Sequence, residues 1–177
     1  MKEEDSRRVP LYVYEGLGFP VILEGIFFYK KRGEWLPKID IELLGKIAFK
    51  GLIFKPAKLT GNEIRFIREY AGMPRSLIGR ALELSSFEVE VLENTENSFV
   101  PFSDKNDSTF RVYFMLYLEE RDEVFFDKIS LPLLNAFNSK ENLTMRIATE
   151  FGRIVDYVSW ENQDSKIFGP ILKDSKK

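Results

Sequence analysis

The sequence predicts an α+β protein, mainly helical: a helix-turn-helix bundle flanked by an N-terminal β-hairpin with one helix and by a small C-terminal β element. Three observations carry this expectation. Thr60-Gly-Asn-Glu63 and Ser85-Ser-Phe-Glu88 are capping boxes, Ser/Thr followed three residues later by Glu, and each marks a helix start. Apolar residues recur at helical spacing from Ile41 and again from Ile64. Strand-like stretches lie at Val21 to Ile39 and Leu143 to Trp160. The expected domains are residues 1–55 (hairpin and helix), 56–122 (helix-turn-helix) and 123–177 (a helix, a β-hairpin and a disordered tail).

Taken in order, residues 1–10 are charged and read as a loose arm. Tyr12 to Leu23 is apolar but broken by Gly16, Gly18 and Pro20. Gly16-Leu-Gly18 has no third glycine and no following Lys-Ser/Thr, so a turn is expected there rather than a phosphate loop. Val21 to Tyr29 and Glu34 to Ile39 are strand-like, with Lys30-Lys31-Arg32-Gly33 as the hairpin turn. Asp40 caps a helix with Ile41, Leu44, Ile47, Ala48 and Leu52 on its apolar side, and Pro56 ends it.

The first capping box opens a helix through Ile64, Ile67 and Tyr70, stopped at Gly72. A second runs from Pro74 to Leu82, with Leu77, Ile78, Ala81 and Leu82 as its buried side. The second box opens a third helix through Val89, Leu92 and Glu93. After a loop over 99–106, Asp107 or Ser108 caps a helix to about Arg121 bearing Phe110, Phe114, Leu116, Tyr117 and Leu118. Ser130 to Phe137 reads as a short helix or turn, and Leu143 to Glu150 and Arg153 to Trp160 as two strands joined near Gly152.

Composition narrows the chemistry. The chain of 177 residues has no Cys and no His. That removes disulfides, thiolate nucleophiles, Ser-His and Cys-His relays and the usual zinc ligands. Glu119 and Glu120 are adjacent carboxylates in a charged stretch, where a solvated face is the expectation. No enzymatic function, cofactor or metal is expected. No apolar run approaches the roughly 18 residues that span a bilayer, and the charged N-terminus leads into no signal-peptide core. A cytoplasmic protein with no membrane partner is the expectation.

Leu59-Thr-Gly-Asn-Glu-Ile-Arg-Phe-Ile-Arg68, Gly72-Met-Pro-Arg75, Ile78-Gly-Arg-Ala-Leu-Glu-Leu-Ser85 and Val89-Glu-Val-Leu-Glu93 follow one another without a gap. Together they resemble helix-turn-helix regulators of the MqsA and HigA antitoxin kind, which share the Cro/lambda-repressor-like fold. Tyr12-Val-Tyr-Glu15 and Val21-Ile-Leu23 resemble the stretch that precedes the module in some members. The resemblance implies a transcriptional regulator or antitoxin-like protein that binds duplex DNA as a homodimer. It places the DNA contacts on Lys58, Arg65, Arg75, Ser76, Ser86, Phe87, Glu88, Glu90 and Val91. It also implies an internal salt bridge between Arg68 and Glu93. The Cys cluster that holds zinc in MqsA is missing, so its toxin-binding role does not transfer.

The charges oppose the resemblance. From Ala81 to Asp104 there is no cation, while Glu83, Glu88, Glu90, Glu93 and Glu96 are all present. DNA affinity comes largely from Lys and Arg on phosphates. A Glu can specify cytosine through its N4 amine, but several on one short helix repel the duplex. Arg75 is either a phosphate contact or a solvated side chain. Phe87 is a thymine-methyl contact, a protein anchor or a packed side chain. The alternative function is therefore a non-enzymatic protein-interaction module on a helix-turn-helix scaffold that has lost DNA binding. Gathering of Lys58, Arg65, Arg75, Arg80 and the 30–32 turn around the third helix would mark a regulator.

Overall fold

The computed structural model describes residues 6–119, 141, 143–150, 153–162 and 172–173. The chain divides into two compact units: residues 1–48 with 142–177, and residues 49–141. The mainly helical fold with a minor C-terminal β element is overturned. The protein is α/β, with a six-stranded mixed sheet and five helices among the described residues.

The sheet belongs to the first unit. Its strands are β1 (Ser6–Tyr14), β2 (Val21–Lys31), β3 (Glu34–Pro37), β4 (Leu143–Glu150), β5 (Arg153–Asn162) and β6 (Leu172–Lys173). The order is β5-β4-β2-β1-β6, with β3 also on β2. β2 is the organising strand. β1 pairs antiparallel along one side of it, from Tyr14 with Val21 to Ser6 with Tyr29. Its other side is shared: β4 lies parallel to Val21–Glu24, and β3 antiparallel to Phe28–Lys31. The stretch Val-Ile-Leu at the start of β2 is buried throughout, so side chains on both faces of the sheet are covered there.

The expected hairpin between β2 and β3 is present. Its two turn residues, Arg32 and Gly33, have φ of 53° and 89°, the pair of positive values that a two-residue turn matching strand twist demands. The loose arm expected over residues 1–10 is corrected, because Ser6 to Pro10 is part of β1. Charge made this stretch look solvated. Arg7 is instead held with its guanidinium 4.5 Å above the Trp35 ring, a cation–π contact. The two strands expected at 143–160 also form, pairing antiparallel. They are not a separate element: β4 joins the N-terminal strands by parallel pairing across more than a hundred residues, which no local periodicity reports.

α1 (Ile41–Ile53) starts as expected, with the Leu43 N–H donating to Asp40 Oδ1 at 3.0 Å. Leu44, Ile47, Ala48 and Leu52 are buried, whereas Ile41 is exposed. The division between units falls after Ala48.

The helical unit contains α2 (Gly61–Tyr70), α3 (Arg75–Leu82), α4 (Ser86–Glu93) and α5 (Asp104–Glu119). Both capping boxes form with both of their hydrogen bonds. α3 ends at Glu83 in the left-handed region, φ 59°, and the turn to α4 follows at once. Gly61 lies so close to the end of α4 that a Cβ there would stand 2.7 Å from the Leu92 and Glu93 carbonyl oxygens. α5 begins at Asp104, one turn earlier than the sequence suggests, with Ser103 Oγ accepting from the Asn106 N–H at 3.1 Å. Phe110, Phe114 and Leu118 are buried, and Leu116 is exposed. The expected helix or turn at 130–137 lies outside the described residues.

Aromatic side chains fill the core of this unit. Phe49 meets Tyr70 at 4.9 Å between ring centroids, and Phe110 meets Phe114 at 4.8 Å. Tyr117 donates its hydroxyl to the Ala71 carbonyl at 3.2 Å, joining α5 to the end of α2. Arg111 is wholly buried. Its Nη1 donates to the carbonyls of Ile53 and Lys55 at 3.0 and 2.9 Å and its Nη2 to Ala57 at 2.7 Å. These carbonyls belong to the end of α1 and the segment after it, where no next turn exists to receive them. One guanidinium thus caps a helix that is far away in sequence.

Candidate functional site

α4 is the last of the three short helices α2 to α4, and its two sides have opposite characters. Val89 and Glu93 point inward and are buried. Ser86, Phe87, Glu88 and Val91 point outward; Phe87 is 71% exposed and Val91 49%. Phe87 and Val91 are four residues apart and so lie on one stripe. The capping box fixes the start of that stripe. Ser85 N–H and Oγ both donate to Glu88 Oε2 at 2.7 Å. Hydrogen bonding to the ionised form holds the Glu88 carboxyl below its ordinary value of 4.5.

The inner side is organised by Glu93. Arg68 donates to both carboxylate oxygens, Nε to Oε1 and Nη2 to Oε2, the latter at 3.1 Å. Arg75 Nε donates to Oε2 at 2.9 Å. Arg65 donates from Nη2 to the Glu93 carbonyl at 3.2 Å and to Asn94 Oδ1 at 2.9 Å. Its Nε stands 3.9 Å from the Glu93 carboxylate. A buried carboxylate at a helix C-terminus opposes the helix dipole, and three guanidinium groups offset that here. The expected Arg68–Glu93 bridge is therefore present and buried. The hydrogen bond to Glu93 raises the Arg68 guanidinium pKa further, against the opposing effect of burial.

Arg65 and Arg75 are turned onto α4, and Arg75 also stands 3.5 Å from Glu90. Lys58 faces the Phe102 carbonyl at 3.3 Å and Asp104 at 3.8 Å. Ser76 and Ser86 are exposed in the first turns of α3 and α4, and Glu90 is half-buried. Arg80 is exposed on α3, and Lys105 pairs with Glu83 at 3.5 Å. Arg65 and Arg75 are thus close to α4 but engaged by its own carboxylates. Phe87 is not a packed side chain.

Two buried ion pairs were not foreseen from sequence. Lys55 Nζ donates to both Glu63 oxygens at 2.7 and 2.9 Å, while Glu63 also accepts from the Thr60 N–H at 2.8 Å. Arg111 Nε donates to Asp107 Oδ2 at 2.8 Å. The spacing of Asp107 and Arg111 was a local sign of a pair; the carbonyls that Arg111 caps had none. Burial lowers the pKa of Arg111, and Asp107 opposes that.

Among the described residues no group of three or more acidic side chains is gathered to hold a metal ion. Nor is any helix there long and apolar enough to cross a membrane. Glu119 ends α5, and Glu120 lies outside the described residues. No family model matches the chain, and no curated protein or solved structure matches it either.

Proposed function

We propose that the helical unit is a non-enzymatic protein-interaction module on a helix-turn-helix scaffold, acting in the cytoplasm, with the outward stripe of α4 as its contact surface. One observation carries this reading. The arginines nearest α4 are engaged by Glu93 and Glu90, and what α4 presents outward is Phe87 and Val91 beside Glu88. Charged residues are depleted at interface centres and aromatics enriched, so Phe87 is the anchor and Glu88 belongs to the rim. The partner is a protein surface with an apolar pocket and basic residues around it.

A second reading keeps duplex DNA as the partner, bound by a homodimeric regulator. It is supported by Ser76 and Ser86, exposed in the first turns of α3 and α4, where a groove-entering helix makes its contacts. Two-fold operators motivate the dimer.

The experiment that separates the two is duplex DNA binding over a salt series, with wild type and the double variant Glu88→Gln/Glu90→Gln. The interaction reading expects no saturable binding by wild type at low salt and only weak, non-specific binding by the variant. Phosphate-driven binding would show a log-log slope of about −0.9 per contact. Tight, sequence-selective binding by wild type that the double variant loses would overturn the interaction reading, because the glutamates would then be reading bases.

A further inference from the structure

The sheet unit is creased where β1, β2 and β4 run side by side. Strand side chains alternate with period two, yet the buried residues Val9 and Tyr12 of β1 are three apart. The ladder with β2 lacks a pair at Pro10, between Val9–Ile26 and Leu11–Glu24. On β2 the matching position is Gly25, at φ 67°, between the pairs Val9–Ile26 and Leu11–Glu24. That conformation suits glycine, and Pro10 opposite it has no N–H to donate. One strand further, the β4–β5 register shifts between Ile147 and Thr149, where Ala148 makes the last pair of β4 with β2. Three irregularities on adjacent strands line up, and a hollow of about 550 Å³ lies along them.

The lining of the hollow is part charged and part apolar. Arg8, Glu24 and Arg146 line it together with Pro10, Leu11 and Ala148. Arg146 is engaged: it pairs with Glu24 and, at 3.3 Å, with Glu161. The Arg8 side chain has no hydrogen bond or ion pair with the described residues. Its guanidinium lies against bare backbone, since a Cβ on residue 25 would stand 2.7 Å from Nη2 and 3.3 Å from Cζ. Glycine here both creases the strand and gives the guanidinium a place to lie. The hollow's volume is in the range of small-molecule sites, roughly 300–1,000 Å³.

We propose that this crease binds a small carboxylic acid, its carboxylate held by the Arg8 guanidinium and its apolar stem laid over Pro10, Leu11 and Ala148. A guanidinium presents a planar fork that matches a carboxylate. The unengaged group is a single guanidinium in a hollow that Glu24 also lines, so a monoanion fits and a dianion is repelled. The apolar lining residues Pro10, Leu11 and Ala148 ask for a hydrocarbon stem rather than a bare ion.

The test uses the full chain, labelled with nitrogen-15 and titrated with hexanoate, with inorganic phosphate and 1-hexanol as comparison probes at matched ionic strength. Saturable shifts with hexanoate at the Arg8 Nε–H and the Gly25 and Thr149 amides, absent with 1-hexanol and lost in Arg8→Gln, are the expected result. Arg8→Lys keeps the charge without the fork and is expected to bind more weakly than wild type. Arg8 is exposed, so both variants retain the fold, which an unchanged melting temperature checks. Shifts that persist in Arg8→Gln, or the absence of saturable shifts with hexanoate, overturn the site. Tighter binding of phosphate than of hexanoate overturns the assignment of a carboxylic acid.

Discussion

Arg68 spans Glu93 from one carboxylate oxygen to the other, and the Glu93 side chain it meets is completely buried. The pair joins α2 to α4 and sits beneath the outward stripe, so the orientation of Phe87 and Val91 depends on it. Removing one partner of a buried pair leaves the other uncompensated, at a cost of about 3–5 kcal/mol. Arg68→Ala and Glu93→Gln are each expected to lose that much stability in urea titration. Arg75→Ala, whose side chain is about one-third exposed, is expected to lose far less. A loss of under about 1 kcal/mol for Glu93→Gln, the range of surface pairs, would show that Glu93 is not the hub of the unit.

Arg111 is the second case. Its donors reach Asp107 and the carbonyls at the end of α1. Arg111→Met fills much of the same volume but strands Asp107 and the carbonyls together. A loss of about 3–5 kcal/mol is expected, with a visible decrease in helix signal as the end of α1 frays. Arg111→Lys has no fork to distribute among several acceptors and is expected to restore only part of the loss. Full restoration by Lys would mean that charge matters here and geometry does not.

The start of α4 gives a pH signature. Glu88 titrates below its ordinary 4.5 because Ser85 hydrogen-bonds the ionised carboxylate. A depressed folded-state value means that the contribution is present above the unfolded pKa and is lost as pH falls through the folded one. Carbon-13 detected titration of Glu88 is expected to show the depressed value in wild type and a partial return toward 4.5 in Ser85→Ala, which keeps the backbone N–H donor and loses the hydroxyl. The same substitution removes an N-cap and costs about 1 kcal/mol near neutral pH. An unchanged Glu88 titration in Ser85→Ala would show that the Ser85 hydroxyl does not hold the carboxylate in solution.

Exposure separates the proposed contact surface from the core. Phe87→Ala and Val91→Ala lie outside the core and are expected to change stability by no more than about 0.5 kcal/mol. Ile67→Ala, fully buried on α2, is expected to cost about 2–5 kcal/mol. A photo-crosslinker in place of Phe87 is expected to form a discrete covalent product with a basic protein partner, and Val91→Ala is expected to diminish it. A product unaffected by Val91→Ala would place the contact elsewhere.

Sequence by itself determined the features that depend on neighbours within a few residues. The boxes Thr60–Glu63 and Ser85–Glu88 set two helix starts because capping is a local exchange of hydrogen bonds. The Arg32-Gly33 turn fixed the β2–β3 hairpin, and Asp40 fixed the start of α1. The Arg68–Glu93 bridge was also legible, since the resemblance supplied the register of two adjacent helices. Tertiary structure alone decided the rest. β4 lies parallel to β2 and β6 parallel to β1, pairings between strands remote in sequence whose hydrogen bonds leave no periodic trace. That is why a mixed sheet was read as a minor element. The same holds for Arg111, whose carbonyl partners are 54 to 59 residues away. It holds too for Arg65 and Arg75: both were expected as DNA contacts, and only the packing of α2 and α3 on α4 decided that they turn to Glu93.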